Sequence, residues 1–136
     1  MFRALTRPRR VVITGLGCVT PLGIGREAFW AGLLSGKSGV RRIQSFDASS
    51  SPVQIAAEVP DFNWEAEINP KDRRHVPRTV PLALAAAREA LQDAQLFPND
   101  LSLEERRAIG VELGTGGGGL AFTEQQYQYW YIGPTT

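Results

Sequence analysis

Short apolar runs, each followed by a glycine-rich turn, stand near the two ends of the chain. Buried strands are predicted at 10–14 (RVVIT) and 108–113 (AIGVEL), although Glu112 would place a costly charge inside the second strand. Strands that lead through glycines toward helices are typical of layered α/β proteins. We therefore expect an α/β fold with parallel pairing, in which two strands make an incomplete sheet.

Helical periodicity predicts a first helix within 26–36, which would end at Gly36. The apolar stripe expected to be buried on this helix comprises Phe29, Trp30, Leu33 and Leu34. Residues 35–53 are rich in serine and glycine, which indicates an ordered loop or a hairpin. A short strand is expected to follow at 54–59.

A second helix is expected from about Thr79 to Ala94, after a short basic helical turn at 70–76 and a bend. Pro81 would fall in the first turn of this helix, where a missing backbone N–H is tolerated. The face expected to be buried comprises Leu84, Ala87, Leu91 and Ala94. The following stretch, QLFPNDLSLEERR, is expected to be a loop, and a final amphipathic stretch runs to Tyr131.

Composition narrows the class of protein without identifying it. The 136 residues are 43% hydrophobic and 21% charged, and the net charge of +1 gives no electrostatic indication of nucleic acid. No apolar run suits a membrane span or a secretory signal. Residues 1–9 are expected to be a basic tail ahead of one domain portion at 10–136. The single cysteine excludes an internal disulfide and fits a reducing, cytoplasmic compartment.

Two glycine clusters are candidate binding loops. Gly15 and Gly17 follow the first strand as in a dinucleotide-binding turn, but Thr20 occupies the third glycine position, so nucleotide binding is a weak alternative. The second cluster, at 114–119, lacks the Gly-Lys-Ser/Thr of a P-loop. Because glycine lets another group approach the backbone closely, we expect a binding site at this second cluster.

Side chains that could act as nucleophiles or bases are few. Cys18 could attack a substrate only with a base beside it, and nothing in the sequence brings the one histidine, His75, to that cysteine. A packing cysteine and a surface histidine are therefore expected. His75 belongs to a basic run at 71–78, which suits either a solvated face or an acidic protein partner.

Several stretches together resemble the start of type II β-ketoacyl-[acyl carrier protein] synthases. They are RRVVITGLGCVTPLG, FWAGLLSGKSGVRRIQSFDAS, AAEVPDFN, PKDRRH, ALAAAREALQDA and AIGVELGTGGGG, in the order and spacing of that family. The resemblance implies the incomplete N-terminal part of a thiolase-like fold, a layered α/β structure with a mixed sheet. It also implies a homodimeric enzyme that condenses an acyl thioester with malonyl-acyl carrier protein and needs no cofactor.

The resemblance assigns sites residue by residue. The family's acyl-accepting cysteine and its two histidines lie beyond the matching stretch, so no catalytic residue is expected here and the chain alone should be inactive. The positions that match carrier-protein docking are Lys71, Arg74 and His75. The positions that match the acyl pocket are Gly116, Gly117 and Gly118. Gly117 stands where the family often has a bulky gatekeeping aliphatic, which implies a roomier acyl channel.

Departures from the family pattern keep an alternative open. Pro77 and Pro81 replace residues that usually continue a helix, which predicts a reshaped docking surface, and the ending YIGPTT does not resemble the family. One interpretation is a segment of a condensing enzyme in fatty-acid or polyketide-like synthesis. The other is a truncated, non-catalytic paralogue that serves as a carrier-docking or dimerisation module.

Overall fold

The computed structural model describes residues 10–133, so the tail expected at 1–9 and the last residues of the YIGPTT ending lie outside it. Its elements in chain order are β1 (Val19–Thr20), β2 (Gly23–Ile24), α1 (Arg26–Leu34), β3 (Arg41–Arg42), β4 (Ile55–Ala56), α2 (Thr79–Asp93), α3 (Leu103–Arg107) and α4 (Leu120–Ile132). One-turn 3₁₀ helices lie at Trp64–Glu67 and Pro98–Asp100. The described strands form two separate antiparallel pairs.

A tight hairpin joins β1 to β2 and leads into α1. Thr20 pairs with Gly23, and its hydroxyl donates to the Gly23 carbonyl at 2.9 Å. The same hydroxyl oxygen accepts from the amides of Leu22 and Gly23, each at 3.2 Å. The threonine at the third fingerprint position therefore closes a turn, which explains why no glycine is needed there.

The second hairpin confirms the prediction for the middle of the chain. β3 and β4 pair antiparallel, with Arg41 opposite Ala56, and the Ile43 amide extends the ladder by donating to the Gln54 carbonyl at 2.9 Å. The strand predicted at 54–59 is present only as the two residues of β4.

The two strands predicted at 10–14 and 108–113 are wrong for this structure. Both segments lack strand pairing within residues 10–133, and Val11 and Val111 are 90% and 84% exposed. A strand exists only with a hydrogen-bonded neighbour, and these two segments do not pair with each other, so the expected parallel pairing is also wrong. Glu112 is exposed as well, so its charge carries no burial cost.

Helix α1 has the predicted bounds but not the predicted buried face. It is followed by Gly36 at a φ of +66°, which confirms the glycine stop. Trp30 and Leu34 on the expected apolar stripe are 60% and 72% exposed, whereas Gly32 is buried against the backbone of Leu22. The helix meets its hairpin through a small residue, so its large apolar side chains lack a covering layer in the described structure.

Helix α2 also has the predicted bounds, with Pro81 buried in its first turn. The predicted inner face is wrong in part, because Leu84 is 45% exposed and Ala87 is also exposed. The face that packs is a row of alanines that contacts Gly15 and Gly17, comprising Ala86, Ala90 and Ala94. Beyond α2, the core of the described residues is small and comprises Ala48, Phe62 and Ile68.

Helix α3 lies in the stretch expected to be a loop. Ser102 accepts from the Glu105 amide at 3.3 Å, and the Glu105 carboxylate accepts from the Ser102 amide at 2.8 Å. This reciprocal capping box satisfies two free amides at the helix start. The Ser-x-x-Glu spacing was the sequence signal for this helix. The final stretch is confirmed as a helix, α4, but the amphipathic character predicted for it is wrong, because its apolar and polar side chains are not separated onto two faces and none is buried.

Candidate functional site

The basic turn, defined here as residues 69–78, is held by local hydrogen bonds. The side-chain oxygen of Asn69 accepts from the Lys71 amide at 3.1 Å, and its carbonyl accepts from the Asp72 amide at 2.8 Å. The Asp72 carbonyl then accepts from the His75 amide at 2.9 Å. Two successive turns therefore fold the segment compactly, as predicted for 70–76.

The Lys, Arg and His side chains of the basic turn divide into two groups. Arg73 binds Glu65 twice, at 2.7 Å to its carboxylate and 2.8 Å to its carbonyl, and Arg78 donates to the Val59 carbonyl at 3.1 Å. The second group is exposed, and its side chains form no ion pair or hydrogen bond with residues 10–133: Lys71, Arg74 and His75. The structure thus leaves open the three positions predicted to dock a carrier protein.

The glycine loop at 114–119 lies at the surface. Gly118 has a φ of +63°, and its amide donates to the Thr115 hydroxyl at 2.9 Å, which accounts for a glycine at that position. Nothing lies within 4 Å of a β-carbon built on Gly116 or Gly118, and one built on Gly117 would meet only Leu120, at 3.5 Å. Within residues 10–133, the loop is therefore open beside Gly116 and Gly118 and meets only Leu120 beside Gly117.

Gly119 connects the glycine loop to the basic turn. A β-carbon at this position would overlap the Pro77 ring and lie 3.0 Å from its Cγ. The contact places the start of α4 directly beside the basic turn. A groove of about 540 Å³ lies between the two elements and is lined by Arg74, His75, Gln125, Gln126, Gln128, Tyr129, Ile132 and Gly133. The glutamine-rich wall of this groove is not evident from the sequence, because only the tertiary contact brings α4 there.

The first glycine cluster has a packing role. A β-carbon on Gly17 would overlap the Ala86 carbonyl and lie 2.6 Å from the Ala90 amide nitrogen, so only glycine permits this approach to α2. The amides of this turn are also occupied. Leu16 donates to Asp93 at 3.0 Å and Cys18 to Glu89 at 2.9 Å. Backbone donors that bind carboxylates cannot cradle a phosphate, which removes the basis of the nucleotide alternative.

Cys18 lies in the same turn and is a half-buried free thiol. Burial and, to a lesser extent, the Glu89 carboxylate raise the pKa of this thiol. Because the thiolate is the nucleophile, a raised pKa makes the group less reactive. Cys18 lines an apolar pocket with Phe29 and Trp30, whereas His75 lines the groove beside α4. The expected packing role of the cysteine agrees with this environment.

Within 10–133, no group of three histidine, cysteine, aspartate or glutamate side chains could hold a metal ion. In the same part of the chain, every helix is too short or too polar to cross a membrane.

Comparison with known proteins decides the family. The family model of the β-ketoacyl synthase N-terminal domain matches residues 8–132. The chain belongs to the β-ketoacyl synthase family. It is 45% identical over 119 residues to a 3-oxoacyl-[acyl-carrier-protein] synthase 2 of Coxiella burnetii, covering 88% of this chain and 28% of the relative.

Polyketide relatives match equally broadly. The chain is 38% identical to the tetracenomycin polyketide synthase ketoacyl synthase beta subunit of Streptomyces glaucescens, covering 96% of this chain and 31% of that protein. Among solved structures, the ishigamide ketosynthase/chain length factor matches with a TM-score of 0.70 and 34% identity, over 92% of this chain and 30% of that one. The likeness confirms a partial thiolase-like α/β fold. The β-ketoacyl synthase chain described here spans less than a third of these relatives.

Proposed function

We propose that this chain is the N-terminal segment of a 3-oxoacyl-[acyl carrier protein] synthase. The reaction is the condensation of an acyl thioester with malonyl-acyl carrier protein, in fatty-acid or polyketide-like biosynthesis. The observation that carries the proposal is the set of three open side chains on the basic turn, Lys71, Arg74 and His75, in a family whose relatives are named for an acyl carrier protein. The free thiol of Cys18 fits a cytoplasmic enzyme.

The basic turn acts in this proposal as the dock for an acidic carrier protein. Lys71 and Arg74 are exposed and form no ion pair within residues 10–133, so both are available to bind a partner's carboxylates. Charges of this kind accelerate encounter and orient the partner, and salt screens them strongly. The remaining cations, Arg73 and Arg78, hold the turn in place through Glu65 and Val59.

In this proposal Cys18 is not the nucleophile of the condensation. Cys18 has a raised pKa and donates its amide to Glu89, so it suits packing better than attack on a thioester. The chain alone should therefore carry out no condensation, and acyl transfer to Cys18 would contradict that expectation.

The glycine loop is proposed as one rim of the acyl pocket. Gly116, Gly117 and Gly118 expose their backbone without side chains, which leaves room for an acyl chain. The absence of a gatekeeping side chain at Gly117 should permit long acyl chains. A substrate-length profile of the active enzyme tests this, and acceptance of short chains alone would contradict it.

The experiment that tests the docking proposal is a charge reversal on the basic turn. We expect the double variant K71E/R74E to lose about tenfold or more in affinity for holo-acyl carrier protein at low salt, with the difference shrinking as salt rises. The matched control is K37E, which reverses a lysine remote in sequence from the turn and should bind as the parent does. Equal affinity of the double variant and the parent would refute carrier docking at this turn.

A second candidate is a non-catalytic docking or dimerisation module. Exposed aromatics on α4 favour it, because Tyr127, Trp130 and Tyr131 offer an uncovered surface of the kind that protein interfaces use. One relative is also named as a beta subunit. The intact mass of the protein from its source separates the two candidates: 14.9 kDa supports the module, and a mass several times larger supports the synthase.

A further inference from the structure

We propose that the groove between the basic turn and α4 is the second half of the carrier-docking surface, with Gln125, Gln128 and Tyr129 selecting the partner by hydrogen bonding. This inference rests on the proposed carrier docking at the basic turn and goes beyond it. The basic turn supplies attraction, and the α4 wall supplies geometric discrimination.

The groove has two chemically different walls. Arg74 and His75 stand on one side, and α4 contributes polar side chains on the other. Besides Gln126, the α4 residues that line it recur three or four positions apart along one side of the helix: Gln125, Gln128, Tyr129 and Ile132. Consecutive helical turns therefore present one continuous wall along the groove.

The α4 wall carries unused hydrogen-bonding capacity. Each glutamine amide can both donate and accept, and so can the Tyr129 hydroxyl. None of these side chains forms a hydrogen bond with residues 10–133, and all are exposed. A neutral wall does not repel an acidic partner. Its donors and acceptors form hydrogen bonds only with a partner whose polar groups are placed to match them, so they favour that partner over others.

A fixed contact sets the width of the groove. Gly119 touches the ring of Pro77 so closely that no β-carbon fits between them. The φ of Gly119 is −117°, which any residue adopts, so its requirement for glycine comes from this contact and not from backbone strain. The proline predicted to reshape the docking surface thus positions the helix that forms the second wall.

Charge decides which occupant the groove fits. Its basic wall holds an exposed arginine, and Lys71 stands next to it on the same turn, so an acidic surface is complementary. A second copy of this chain has a net charge of +1 and brings no such excess of acid. The aromatic residues that would suit a copy, Tyr127 and Trp130, do not line the groove; they line a neighbouring surface of α4 that shares Gln126 and Tyr129 with it.

The test measures the dissociation constant of holo-acyl carrier protein from the same organism, with the protein as purified from its source, at low and high salt. We expect Gln128→Ala and Tyr129→Phe each to weaken binding about 3- to 10-fold, the loss of one neutral hydrogen bond. Unlike the effect of K71E/R74E, this loss should persist at high salt. Tyr127→Phe is the matched control on the aromatic surface and should bind as the parent does.

A second variant tests the geometry without removing any polar group. Gly119→Ala should displace α4 from Pro77 and weaken binding by a similar factor, while circular dichroism shows the helix retained. If the charge reversal weakens binding but Gln128→Ala, Tyr129→Phe and Gly119→Ala do not, the groove proposal is overturned and carrier docking stands. If the charge reversal has no effect, carrier docking itself fails, and the groove proposal fails with it. A loss of dimer on Tyr129→Phe with unchanged carrier binding would assign the groove to a second copy and overturn the proposal.

Discussion

Gly15 and Gly17 show how single residues decide whether two segments of this β-ketoacyl synthase chain can touch. The alanine row on α2 offers a nearly flat helix surface, and the two glycines bring a backbone against it at direct contact. Asp93 and Glu89 on the same helix then accept the amides of Leu16 and Cys18. The glycines and alanines allow the close contact, and the two carboxylates add hydrogen bonds, so that together they hold the turn at 15–18 against α2.

This arrangement predicts the effect of one added methyl group. Gly17→Ala should lower the free energy of unfolding by about 1–3 kcal/mol, because the new β-carbon overlaps the Ala86 carbonyl and the backbones must separate. Urea titration of the purified protein measures the change. Gly110→Ala is the matched control, since its β-carbon would enter open space. Equal losses for both variants would show that close packing is not the cause.

Helix α2 organises its surroundings through two carboxylates one helical turn apart. Glu89 accepts the Arg26 amide at 2.7 Å, so an acidic side chain from another helix caps the first residue of α1. Asp93 forms an ion pair with the Arg26 side chain. The start of α1, which Gly25 leaves without a side-chain cap, is therefore held by α2 in addition to the Gly25 amide, which donates to the Cys18 carbonyl at 2.9 Å.

A pH dependence follows from Asp93. Its hydrogen bond from Arg26, followed by the amide of Leu16, lowers the pKa of the Asp93 carboxyl below its usual range. A carboxyl with a lowered folded-state pKa contributes stability above the unfolded value, and this contribution disappears as pH falls through the folded value. Asp93→Asn should therefore reduce stability at neutral pH and flatten the decline on acidification below about pH 4. Thermal unfolding across that range measures it, with Asp100→Asn as the exposed control. An unchanged acid slope in Asp93→Asn would contradict the assignment.

Elements that depend on local sequence were predictable, and elements that depend on distant partners were not. The bounds of α1 and α2 followed from periodicity, the glycine stop and the tolerated Pro81. The exposed runs at 10–14 and 108–113 failed as strands because pairing requires a neighbour that local sequence does not reveal. The same division holds at the site: the open basic-turn positions were visible in the sequence, whereas the α4 wall depends on a contact between Gly119 and Pro77.

At the scale of the whole molecule, apolar surface exceeds what the described core can cover. Residues 10–133 bury few large side chains, while Val11, Ile13, Val111 and Leu113 stand exposed in extended segments. These runs are as apolar as buried strands usually are, but their side chains are as exposed to solvent as those of loops. Exposed apolar runs of this kind are typical of surfaces that pair with another protein segment.

Because the apolar runs at the two ends are exposed and unpaired while α2 is hydrogen-bonded, amide hydrogen exchange in the 136-residue chain should differ sharply between these segments. Amides at 10–14 and 110–113 should exchange rapidly because they have no acceptor within the described residues, whereas amides within α2 and that of Cys18 should exchange slowly. The contrast is its own control, because Cys18 lies only a few residues beyond the unprotected run and differs from it by its bond to Glu89. Mass spectrometry of short peptides resolves the two stretches. Protection at 10–14 equal to that of α2 would mean that the run pairs after all, through association of the chain with itself, and concentration dependence of that protection would identify such pairing.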